Sequence, residues 1–203
     1  MKNRDKWAKY VSLIFSPVLV PTYCVVMAMW ITPLRHISET TRFLSSFAVL
    51  LMTALPPMLC DIMRRRMGTD SKVSGAVFVL CQLFAAYYLY SVCAPLWLVM
   101  ILLAGACVSV VCIVLNMFTK VSHYTCAMGI IGAFVYYLAY RDIAVVFALP
   151  WLVSTLLLTG LVASARLKLD KASMLSLATG YMVGAILTYI ILNIHLFDQK
   201  IPG

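Results

Sequence analysis

Charge is scarce in this chain. Of its 203 residues seven are acidic and three are histidine, and charged side chains of both signs together make up 11%. Most ordinary catalytic sets are thereby excluded. There is no paired-carboxylate motif for general acid–base work, no HExxH, and no Walker-type glycine loop. The seven cysteines include no CxxC pair and no Cys/His array, and all but Cys93 fall inside apolar runs. An odd, buried set argues against a disulfide framework and against zinc, and its expected role is as small apolar fillers between helices. No metal and no cofactor is expected. Linkers and low-complexity segments are missing too. So is a convincing cleavable signal: the first apolar run carries Pro17 and Pro21 and ends in Trp30-Ile-Thr-Pro, which predicts a resident, kinked first helix.

What fills the chain instead is apolar surface. Hydrophobic residues are 64% of the total, against about half in a soluble domain, and the mean hydropathy is +0.98. Seven runs are long enough for a bilayer that needs about 20 residues per helical span: Tyr10–Thr32, Phe43–Met63, Val73–Ser91, Leu96–Asn116, Tyr124–Tyr140, Ala144–Val162 and Met174–Asn193. The fifth is shortest, so six spans plus a re-entrant piece is the alternative. The expected fold class is therefore all-α, a polytopic membrane helix bundle of six to seven spans, with residues 1–203 forming a single integral membrane domain. A net charge of +9 would point to nucleic acid in a soluble protein. In a membrane protein it is the lysine and arginine excess of cytoplasmic loops, and no nucleic-acid partner is expected. With the N terminus inside, twelve cations fall on the inner side and four (Arg35, Arg42, Arg141, Lys200) on the outer, which predicts an inner (plasma) membrane protein with a cytoplasmic N terminus.

Two polar islands interrupt the apolar chain, Lys120-Val-Ser-His123 and Ser164-Ala-Arg166. Each is expected just before a membrane helix. Free N–H groups at a helix start favour anions, so the pair predicts a phosphate site. Ser122 is the expected N-cap of the helix that follows, its oxygen accepting from an N–H two or three residues on. Lys120 lies just outside that helix, and His123 is a candidate nucleophile or general acid. Arginine at an apolar helix end is costly unless paired or bound, and its fork suits phosphate. The simpler reading of both islands is interfacial: caps, a snorkelling lysine and a positive loop. Because one helical hairpin separates them, both islands fall on one membrane face and the helices after them can start side by side. Gly129 with Gly132, and Gly180 with Gly184, are expected to let membrane helices approach closely.

Ser164-Ala-Arg-Leu followed by Gly180-Tyr-Met-Val-Gly184, with Lys120-x-Ser122 and Gly129 upstream, resembles a bacterial branch of the type-2 phosphatidic acid phosphatase superfamily. The opening Ile14-Phe-Ser-Pro-Val-Leu-Val-Pro-Thr-Tyr23 is similar to that branch's first helix, and the similarity is densest from Lys120 to Gly184. The resemblance implies an all-helical bundle and a metal-independent phosphatase in which one histidine attacks phosphorus and a second protonates the leaving oxygen. It places Ser164 and Arg166 as the serine–arginine pair of the third motif, Ser122 as the serine of the second, His123 or Tyr124 where that motif has its histidine, and Lys120 as the preceding lysine. The departures are specific. The nucleophilic histidine expected six positions after Arg166 is Ala172, its acidic partner falls at Ser176, and the first motif has no counterpart.

The expected function is thus a lipid phosphatase relative without its nucleophile, a pseudoenzyme that binds a phosphorylated lipid headgroup at Lys120, Ser122, Ser164 and Arg166 or serves as a non-catalytic membrane component. The alternatives are an active lipid or polyprenyl phosphate phosphatase using His123, and a structural subunit of a membrane complex. Membrane lipids are the expected partners, with a membrane protein partner or a homo-oligomer left open.

Overall fold

The computed structural model describes residues 4–67, 71–141, 143, 148–169 and 172–194. Eight α-helices run through them: α1 (Arg4–Ile14), α2 (Val20–Ile31), α3 (Glu39–Met67), α4 (Ser71–Ser91), α5 (Leu96–Phe118), α6 (His123–Tyr140), α7 (Ala148–Lys168) and α8 (Met174–Ile194). No strand occurs among the described residues.

The break between α1 and α2 is written in proline. Ser16 sits in an extended conformation ahead of Pro17, as the residue before a proline prefers, and a short 3-10 turn over Pro17–Leu19 restarts the chain. The Tyr23 hydroxyl donates to the Ile14 carbonyl at 2.7 Å, serving an acceptor at the end of α1. In α3 the adjacent Pro56 and Pro57 lie inside a continuous helix of 29 residues. One turn earlier the Thr53 hydroxyl donates to the Val49 carbonyl and also meets Thr22 of α2 at 3.4 Å. At the end of α4, Cys93 takes a positive φ of 55°. The N–H of Ala94 bonds the Leu89 carbonyl and that of Cys93 the Tyr90 carbonyl, a Schellman ending with cysteine where glycine is usual.

Five segments are long and apolar enough to cross a membrane: Tyr10–Ile31, Glu39–Cys60, Leu96–Phe118, Leu149–Lys168 and Met174–Ile194. Gly75–Ser91 is a shorter apolar helix. The remaining expected span, α6, lies at the centre of the bundle and packs most extensively on α8, then on α7 and α5. Phe134, Met128 and Leu138 of α6, with Leu98 and Leu102 of α5, are among the most completely buried large side chains. A helix so enclosed meets protein on most sides, so small residues replace part of the uniformly apolar surface that lipid contact demands. Conversely Leu80, Phe84, Leu157 and Leu175 are all more than 60% exposed, as on the outside of a bundle that faces hydrocarbon.

One boundary corrects the expectation. The sixth run was expected to end at Val162, but α7 continues to Lys168. Nothing in Ala163-Ser-Ala-Arg-Leu-Lys168 stops a helix, and cations in a last turn suit its negative end. Ser164 and Arg166 therefore stand at the C-terminal end of α7 and not at the start of α8.

Candidate functional site

The region around the first island is built by glycine. A Cβ on Gly184 would collide with the carbonyl of Cys126, one on Gly129 with the carbonyl of Tyr181, and one on Gly180 with Thr125 and the Ser122 backbone. The expected glycines thus serve a single intramolecular crossing of α6 and α8, close enough for one helix start to bond the other. The N–H of Ser122 donates to the Ser176 carbonyl at 3.2 Å. The starts of these two helices do lie side by side.

Ser122 is the N-cap residue of α6, but its side chain makes no cap hydrogen bond. That corrects the expected geometry. Its carbonyl accepts from Thr125 Oγ1 at 3.1 Å and from the N–H of Cys126, while its own Oγ is buried without a partner among the described residues. Just before it, Asn116 at the end of α5 clamps the turn. Its Oδ1 accepts from the Val121 N–H at 2.8 Å, which fixes the amide's orientation, and its Nδ2 lies 2.9 Å from His123 Nε2. An amide nitrogen only donates, so in this arrangement Nε2 is the accepting atom. The Nε2 lone pair is thereby engaged by Asn116. Lys120 is exposed.

Arg166 reaches this place from α7. Its guanidinium carbon lies 4.1 Å from the centroid of Tyr124, the second residue of α6, and its buried Nε has no hydrogen-bond partner among the described residues. Two residues on, Lys168 stands over Trp7 of α1 at 5.3 Å. Ser164 is exposed and donates to the Leu161 carbonyl of its own helix at 2.9 Å. Ala172 precedes α8, and the Ser173 Oγ accepts from the Ser176 N–H as the cap of that helix. Of the four expected phosphate ligands, then, Ser122 stands at the start of α6 and Arg166 reaches that helix at Tyr124, Lys120 is on the adjoining turn, and Ser164 donates to its own backbone. The side chains of Asp61, Arg64, Arg65, Arg66, Lys72, Asp170, Lys171 and His195 are not among those described.

Two features escaped the sequence reading, the contact of Tyr124 with Arg166 and a cavity. Tyr124 is the platform that joins the islands. A cavity of about 900 Å3 runs behind it, lined largely by apolar groups from α2 to α6 and by His123, Cys112 and Cys126. On its wall Gln82 is 2% exposed, with Oε1 unpartnered among the described residues and packed against Gly105, where a Cβ would lie 3.2 Å from that oxygen. The available signal was the spacing of Gly105, Ser109, Cys112 and Asn116, small or polar residues at i, i+4, i+7 and i+11 on one face of α5. Asn193 Nδ2 donates to the Tyr189 carbonyl of its own helix. Among the described residues, no group of three or more His, Cys, Asp or Glu is arranged to hold a metal ion.

Comparison of the chain with family models, curated proteins and solved structures gives no match.

Proposed function

We propose that this protein is a seven-span inner-membrane bundle with its N terminus in the cytoplasm, descended from the type-2 phosphatidic acid phosphatases, that binds a phosphorylated lipid headgroup without hydrolysing it. The observation that carries the reading is Arg166. A guanidinium brought to the first turn of a helix, with a buried Nε lacking a partner and a buried unpartnered Ser122 Oγ at the same helix start, is an incomplete hydrogen-bonding set that an anionic oxygen completes. The cation–π contact with Tyr124 supports this role, since it holds the guanidinium without using its N–H donors. The non-catalytic half of the reading rests on Ala172 in the nucleophile's expected place and on the Asn116 bond that occupies His123 Nε2.

The test is lipid retention by native mass spectrometry of the purified protein. Phosphatidic acid or a polyprenyl phosphate is expected to bind at least about tenfold more tightly than diacylglycerol, an energy difference near 1.4 kcal/mol, and Arg166→Ala is expected to remove that preference. Equal retention of neutral and phosphorylated lipid overturns the reading. Release of inorganic phosphate by the wild type, lost in His123→Ala, replaces it with the phosphatase alternative.

A further inference from the structure

Cys112 of α5 and Cys126 of α6 bring their sulfurs to 3.0 Å across the hairpin, both thiols free. A disulfide needs about 2.05 Å, so closure asks for roughly 1 Å of movement, within reach of small side-chain rotations. The surroundings hold both partners in place. Gly184 of α8 presses on the Cys126 backbone from one side, and the Asn116 clamp fixes the turn that joins the two helices. Both residues are almost fully buried, 1% and 2% exposed. Both nevertheless line the 900 Å3 cavity, beside His123. That volume is of the size that accommodates small apolar ligands and cofactors, and its wall is chiefly hydrocarbon. A reactant for these thiols must therefore be apolar, membrane-soluble, and able to take two electrons.

We propose that Cys112 and Cys126 are a reversible dithiol–disulfide couple oxidised from within the cavity by a lipid-soluble quinone. One sulfur adds to a quinone ring carbon as its proton passes to a quinone oxygen. The second sulfur then attacks the first; the carbon–sulfur bond breaks, its electron pair leaves with the ring, and the second thiol proton follows. Two S–H bonds are lost, one S–S bond is formed, the thiols are oxidised by two electrons and the quinone becomes a quinol. The closed bridge ties α5 to α6 around the Lys120–His123 turn. This inference stands on the thiol pair and the cavity and does not depend on the headgroup reading.

The experiment uses the full chain, reduced, in lipid nanodiscs without oxygen, mixed with a short-tailed ubiquinone analogue or with oxidised glutathione. Quinol is followed by absorbance, and the cysteines are mapped by alkylation and mass spectrometry. The quinone is expected to give one quinol per protein and a Cys112–Cys126 linked peptide, and glutathione is expected to give neither. Cys126→Ser and Cys112→Ala should each lower quinol yield at least tenfold while eluting as the wild type does on size exclusion. Two alkylatable thiols after quinone treatment of folded protein, a bridge without quinol, or quinol formation undiminished in both variants each overturn the proposal.

Discussion

Arg166 shows how one residue takes its meaning from its neighbour. In the sequence it is a cation at the edge of an apolar run, equally suited to a positive loop. Stacked 4.1 Å from Tyr124, it becomes part of the α6 start, some forty residues away in the chain. Asn116 is a second such residue, because its amide serves the Val121 N–H and the His123 ring together. Asn116→Ala is expected to cost about 1 kcal/mol, the usual worth of a lost side-chain hydrogen bond, and to lower the thermal midpoint in detergent by a few degrees. An unchanged midpoint would remove the clamp from this account. Cys93 runs the other way. Its φ of 55° strains any side chain, so Cys93→Gly should raise stability by up to about 1 kcal/mol in the same assay. These residues were legible as polar or unusual, but their partners were not, since each bond joins groups that only the turn geometry or helix crossing brings together.

At the scale of elements, the α6–α8 crossing organises the site. Gly129, Gly180 and Gly184 were readable as close-approach residues, yet spacing alone cannot say which helix approaches. The fold answers with backbone contacts: Gly184 against Cys126, and Gly129 against Tyr181. Gly184→Ala should therefore force the helices apart and destabilise by about 1–3 kcal/mol, the usual cost of overpacking. Gly160 of α7 has nothing within 4 Å of an added Cβ. Gly160→Ala should be neutral or stabilising by up to about 1 kcal/mol through helix propensity. Thermal unfolding of the two variants side by side checks the pair, and equal losses would mean that the crossing is looser than described. The end of α7 teaches a different lesson. A hydropathy run stopped at Val162 because Ser164 and Arg166 are polar, but the backbone does not read polarity, and the helix continues for a turn and a half.

For the whole molecule, five segments meet the length and apolarity that a membrane crossing requires, while α6 is set apart by being enclosed. Adding α4 and α6 gives the seven crossings proposed above, with an N-inside orientation drawn from the twelve-to-four division of cations. Labelling intact cells with an impermeant maleimide checks both. Cys93, exposed between α4 and α5, should react from outside, whereas a cysteine at Lys120→Cys should react only after permeabilisation. The reverse pattern would invert the topology and put the Arg166 site on the outer face.

The sequence by itself determined that the chain forms apolar helices, about where they run, where proline breaks the first, and which short stretches are polar enough to gather at one end. Those properties are local, set by hydropathy over a window of residues and by the covalent limits of proline. Only the tertiary structure decided that Arg166 rests on Tyr124, that Ser164 turns back on its own helix, that Ser122 caps nothing with its hydroxyl, and that two cysteines fourteen residues apart meet. The reason is physical: each depends on which faces of α5, α6, α7 and α8 are pressed together. That choice follows from glycine-sized gaps and side-chain packing across the bundle, which no single segment encodes.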